Sequence, residues 1–204
     1  MRFITTIFIF LTLLFTLPCM GEDTSSLSEA EALYQQAQKI HFAPDESTTV
    51  STESSEAQRA LSLYMKAAKL GHPGALLYVG GFYDKGNMVK RDLSKAFASY
   101  MQAASAGNPI AQFNVASMYL RGEGTDRDYK EAIEWFKRSA ANGNSKAAYN
   151  LGVMYYTGEG VKQSESTARE WFKISAKNGN AFAPFAIEKL GHSMTFYPRD
   201  LGDI

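Results

Sequence analysis

From Glu56 onward, apolar residues fall at helical spacing in short blocks, and the blocks return every 36 residues. Tyr64, Tyr100, Phe136 and Phe172 hold one large-residue column, and Tyr83, Tyr119 and Tyr155 hold another. Gly71, Gly107, Gly143 and Gly179 mark the same corner four times. The unit is clearest from Asp128 to Tyr155, DYKEAIEWFKRSAANGNSKAAYNLGVMY, where two amphipathic helical patterns meet at a tight glycine turn. Repetition at this period marks an all-α solenoid of stacked helix pairs. B helices are expected at 56–70, 92–106, 128–142 and 164–178. A helices are expected at 73–84, 109–120, 145–156 and 181–190, with ends uncertain by about 2–4 residues.

Small and large columns alternate through the units. Ala60, Ala96, Ala132 and Ala168 form one small column, and Ala75, Ala111, Ala147 and Ala183 form another. Alanine favours helix and lets two backbones approach. The aromatic column, with Leu77, Phe113, Tyr149 and Phe185 facing it, fills the space between. Each buried aromatic removes roughly 150–250 Å² from water, worth several kcal/mol before entropy. The corner glycines sit where a left-handed residue ends a helix. His72, Asn108, Asn144 and Asn180 follow them as N-caps, with Pro73 and Pro109 suited to the first helical position. Asp92, Asp128 and Ser164 form a second cap column, and Asp128 with Glu131 has the spacing of a capping box.

The phrases AQFNVASMYLRGEGT (Ala111 to Thr125) and AAYNLGVMYYTGEGV (Ala147 to Val161), with the glycine corners, resemble Sel-1-like repeats, relatives of tetratricopeptide repeats. The resemblance covers about Ala57 to Leu190. It implies a right-handed superhelix that acts as an adaptor for other proteins, in the bacterial periplasm or the endoplasmic reticulum, without a catalytic group of its own. Two departures stand out: Gly191 replaces the aromatic of Tyr83, Tyr119 and Tyr155, and the fourth unit lacks a B helix.

Outside the repeats, residues 1–21 read as a secretory signal: Arg2 gives a positive start, and an apolar run too short for a bilayer span follows. An uncleaved anchor and a lipid anchor on Cys19 are the alternatives, and Pro18 speaks against the second. Residues 22–55 hold a divergent first helix, Asp23 to Ile40, and a Ser/Thr-rich polar loop. The solenoid proper takes 56–191, and a tail, 192–204, either caps it or leaves its end open to self-association.

In the related fold the A helices line the concave face. Helical spacing then puts Tyr78, Gly81 and Lys85, Asn114, Ser117 and Arg121, and Asn150, Val153 and Thr157 outward as a partner-binding groove. Resemblance assigns Asn114 and Asn150 to the positions that hold an extended peptide backbone in such repeats. Lys and Arg total 21 against 21 for Asp and Glu, so no basic stripe points to nucleic acid. The single cysteine lies in the leader, which removes a disulfide framework from the mature chain. His41, His72 and His192 stand far apart, no hydrolase or phosphate-binding motif occurs, and neither metal nor cofactor is expected. His72 is expected to cap, and Trp135 and Trp171 to pack. The function expected is an exported, non-catalytic module that binds another protein, in the periplasm or secreted. An immunity-type inhibitor of an exported toxin or hydrolase is the alternative. A β-lactam hydrolase-like enzyme and an endoplasmic reticulum scaffold rank lower.

Overall fold

The computed structural model describes residues 24–42 and 55–190. The expected leader, the loop residues 43–54 and the tail 192–204 lie outside them. The described residues form helices α1 (Thr24–His41), α2 (Ser55–Lys69), α3 (Pro73–Lys85), α4 (Leu93–Ser105), α5 (Pro109–Arg121), α6 (Tyr129–Ala141), α7 (Ser145–Thr157), α8 (Glu165–Lys177) and α9 (Ala183–Lys189). They stack as an all-α repeat solenoid, each helix packing on its neighbours in chain order.

Local chemistry sets the helix ends. All four corners carry the full bond set: Gly71 N–H donates to the Ala68 carbonyl and His72 N–H to that of Ala67, and the same pair recurs at Gly107, Gly143 and Gly179. These are Schellman closures, and they require the left-handed φ that glycine adopts without strain. The side chain of each following residue turns back to start the next helix. Asn108 Oδ1 accepts from Ile110 and Ala111, and Asn144 Oδ1 accepts from Ala147 at 3.1 Å. Such caps contribute about 1 kcal/mol each.

The most extensive packing joins each A helix to the B helix after it, α1 to α2, α3 to α4, α5 to α6 and α7 to α8, across the long loop rather than across the glycine corner. The repeating hairpin therefore begins with the A helix. On this phase α1 and α2 make a complete first hairpin, and α9 is an A helix with no B helix among the described residues. Two features recur in the hairpins that follow the first, the second of them in α3–α4 and α7–α8. The N–H of the B-helix cap donates to a carbonyl of the A-helix tyrosine column: Asp92 to Tyr83 at 2.9 Å, Asp128 to Tyr119 at 3.0 Å and Ser164 to Tyr155 at 2.8 Å. Glycine then lets the aromatic column lie against the A-helix backbone. A Cβ on Gly80 would sit 2.5 Å from the Tyr100 ring, and one on Gly152 would sit 2.6 Å from that of Phe172.

Two local expectations change. The Asp128 N–H is taken by Tyr119, so the Asp128–Glu131 pair makes only the forward half of a capping box, Glu131 N–H to Asp128 Oδ1 at 3.1 Å. The last A helix starts at Ala183 rather than 181. Pro184 lacks the N–H that a helix begun at 181 would need there to reach the Asn180 carbonyl, and the Ala183 N–H makes a long 3.4 Å bond to it instead. Phe182 and Phe185 on this helix remain 37% and 43% exposed.

Candidate binding face

Helices α3, α5 and α7 carry the nine residues expected to face outward, and the structure sorts them into three columns. Tyr78, Asn114 and Asn150 are half-buried. Tyr78 stacks on Tyr64 with ring centroids 4.7 Å apart. The two asparagines make no side-chain hydrogen bond among the described residues. Lys85, Arg121 and Thr157 form an exposed outer column. Arg121 is engaged by Glu123 at 2.7 Å, and Thr157 Oγ1 donates to the Val153 carbonyl at 3.0 Å.

The middle column departs from expectation. Ser117 and Val153 are buried, at 6% and 5% exposure, rather than open to the groove. This column lies over the following B helix. A Cβ on Gly81 would reach the Tyr100 hydroxyl at 3.6 Å, and Val153 belongs to the apolar cluster of Phe172 and Leu190. Ser117 and Val153 therefore support the face from beneath.

At the α1 end of the face lies a cavity of about 490 Å³. It joins Tyr78, Gly81, Lys85 and Asn114 to His41 at the end of α1 and to Met88 in the α3–α4 loop. His41 and Tyr78 of the wall pack against a dense aromatic group that does not itself line the cavity. His41 meets Tyr64 edge-on at 5.8 Å, and Tyr34 meets it at 5.9 Å. Burial, with the Asp84 carboxylate acting the same way, pushes the Tyr100 hydroxyl well above its ordinary range. The Tyr64 hydroxyl is shifted upward by burial as well, and it is buried without a hydrogen-bond partner among the described residues.

His72 has the capping role read from its column: Nδ1 accepts the Ala75 N–H at 3.1 Å. It also ties the corner to α1, with Nε2 against Glu31 at 2.8 Å and its ring stacked on Tyr34 at 4.2 Å. His192 lies outside the described residues. Trp135 is buried in the central core with the Arg138 guanidinium over it at 4.5 Å, and Trp171 packs against that core, as expected of packing residues. Among the described residues, no three His, Cys, Asp or Glu side chains gather as metal ligands, and no helix is long and apolar enough to cross a membrane. Sequence reasoning did not find the contributions of His41 and Met88. The signal for Met88 was its place in a column otherwise filled by Gly124 and Gly160.

The family model for the Sel1 repeat matches residues 54–72, 73–108, 109–144 and 145–180, starting each full unit at the A helix as the packing does. Among solved structures, the chain is similar to a protective antigen of uropathogenic Escherichia coli that displays an SLR fold. The identity is 30% and the TM-score 0.67, over 78% of this chain and 33% of that one. It is also similar to a Sel1 repeat protein from Oxalobacter formigenes, at 25% identity and a TM-score of 0.68, over 82% of this chain and 65% of that one. The chain thus spans a third of the first relative and just under two thirds of the second. No curated protein matches it.

Proposed function

Because the chain belongs to the Sel1 repeat family, whose repeats are protein-binding and in general non-catalytic modules, we propose that it is an exported adaptor or regulator that binds a partner polypeptide along the α3–α5–α7 face. The observation that carries this reading is the Asn114–Asn150 pair. Each amide is half-buried, one repeat from the other, with donor and acceptor unused among the described residues. A peptide backbone offers the complementary acceptor and donor at every residue. The apolar leader, residues 1–21, supports export, to the periplasm or outside the cell, with the endoplasmic reticulum lumen as the alternative.

The test is the double substitution Asn114→Ala and Asn150→Ala. Both side chains leave the core unchanged, so helicity should hold while a partner captured by the native protein from its own compartment is lost. Undiminished capture would refute the reading. A stable one-to-one complex with an exported toxin or hydrolase would turn it toward an immunity-type inhibitor. Self-association through the α9 end, where Phe182 and Phe185 stay partly exposed, is the remaining part of the proposal. Removing residues 193–204 without a change in Tm or in oligomeric state would dispose of it.

A further inference from the structure

We propose that the cavity at the α1 end of the face is a specificity pocket, taking a polypeptide segment that sets one bulky apolar side chain beside a carboxylate. The inference rests on the groove reading above and names what that groove selects.

The first support is shape. A volume of about 490 Å³ lies in the range of ligand pockets. Most of its wall is apolar, with Ile40, Leu77, Phe82 and Met88 around the Tyr78 ring. That lining suits an aromatic or large aliphatic group.

The second support is Met88. Its φ is +62°, the one left-handed residue other than glycine among the described residues. Gly124 and Gly160 take this position in the next two units, at φ of 71° and 73°. There a side chain would collide with the Leu93 carbonyl and with Tyr129. The position equivalent to Leu93 and Tyr129 in the first hairpin is Ala57, which also lines the cavity. The loop thus supplies a side chain where the helix has withdrawn one, in a conformation unfavourable for an L residue. A strained residue held over a pocket is a mark of a binding site. Methionine also adapts its shape to the group it meets.

The third support is charge. Lys85 lines the cavity and makes no ion pair among the described residues, and the lining itself holds no carboxylate, Asp84 being engaged at the Tyr100 hydroxyl. Asn114 borders the same opening with its amide unused. A carboxylate next to the seated apolar group would meet the ammonium. Its source is an acidic side chain or the end of a chain.

The experiment uses the full mature chain with carbon-13-labelled methionine methyls, titrated with short synthetic peptides. One carries Asp next to Phe with both ends blocked, and a second ends in Phe with a free carboxylate. A third has Asn for Asp with both ends blocked, and a fourth has Ser for Phe. The Met88 methyl signal should move with the first, the second or both, which identifies the carboxylate source. The third should bind about tenfold more weakly than whichever carboxylate peptide moves Met88, as expected for one lost ion pair, and the fourth should leave Met88 unmoved. Lys85→Gln, an exposed change that does not threaten the fold, should erase the difference between that carboxylate peptide and the third. Met88→Gly restores the residue that the later repeats use, and should weaken the Phe peptides by calorimetry with helicity unchanged. A Met88 signal unmoved by all four peptides to millimolar concentration would overturn the pocket, as would binding of the Asn peptide equal to that of both carboxylate peptides. If Met88→Gly retains a natural partner that the double asparagine variant loses, the pocket fails and the groove reading stands.

Discussion

The Ser139 hydroxyl donates to the main-chain carbonyl of Pro109 at 2.7 Å, tying the end of one hairpin to the start of the A helix that opened it. Ser175 makes the same 2.7 Å bond to Ser145 one repeat later. Both serines are fully buried, and Ala67 and Ala103 hold their column in the earlier units. Alanine therefore fits the site sterically, and Ser139→Ala or Ser175→Ala removes the bond and little else. Each is expected to cost about 0.5–1.5 kcal/mol. Urea denaturation of the two single variants and the double variant would measure it. The double variant should lose close to the sum if the corners act independently.

Tyr64 carries the opposite imbalance. Its hydroxyl is buried with no hydrogen-bond partner among the described residues, while Phe136 and Phe172 fill the same column with no hydroxyl at all. An unmet buried hydroxyl is costly, and replacing it by carbon and hydrogen removes the cost. Tyr64→Phe is expected to leave stability unchanged or raise it by about 1 kcal/mol. A loss above about 1 kcal/mol in thermal or chemical unfolding would mean that the hydroxyl has a partner.

Close approach inside the hairpins is tested at Gly152. A methyl group there lies 2.6 Å from the Phe172 ring, which is itself fully buried. Gly152→Ala should therefore destabilise by about 1–3 kcal/mol, although alanine is the better helix former. Ala116 holds the same column opposite Phe136 and is fully buried, so Ala116→Gly should cost the propensity difference of about 1 kcal/mol plus about 1 kcal/mol for the lost methyl. Midpoints from urea denaturation of the two variants check both values.

Glu31 gives the fold an acid-sensitive contact. Hydrogen bonds from Gln35, at 2.6 Å, and from His72, at 2.8 Å, hold its carboxyl below the ordinary value of 4.5. A carboxylate whose folded value is depressed adds stability that is complete above the unfolded value and disappears as pH falls through the folded one. Tm should thus fall on acidification below about pH 4.5, and Glu31→Gln should flatten that limb. His72→Asn should flatten it too, since asparagine caps this column elsewhere but cannot be counted on to span the gap to Glu31. Identical acid limbs in native and variant proteins would contradict the assignment.

Glycine corners, cap residues and the aromatic columns were legible because each is a local requirement repeated at a fixed interval. The face was only half legible. Helical spacing gives one direction per residue, but an A helix here is flanked by B helices on two sides, so Ser117 and Val153 point along the right face and are still covered. The hairpin phase was hidden for a related reason. Asp92, Asp128 and Ser164 announce themselves as side-chain caps, whereas their bonds to the tyrosine carbonyls involve only main chain and leave no trace in residue type. Ser139 and Ser175 look like tolerated variants of alanine until the carbonyl 30 residues back is seen. Met88 breaks a glycine column, and its meaning depends on Ala57, which only the folded chain brings near.

The corner glycines, with φ of 82°, 89°, 85° and 89°, make successive hairpins leave each corner in nearly the same direction. Because every hairpin is carried on the corner before it, a small change at one joint is transmitted undiminished to all that follow. Spacing between the pocket at one end and the asparagines further along is therefore a kind of ruler, graduated by repeated identical steps. A ligand long enough to touch several units would sense an alteration at a joint it never contacts.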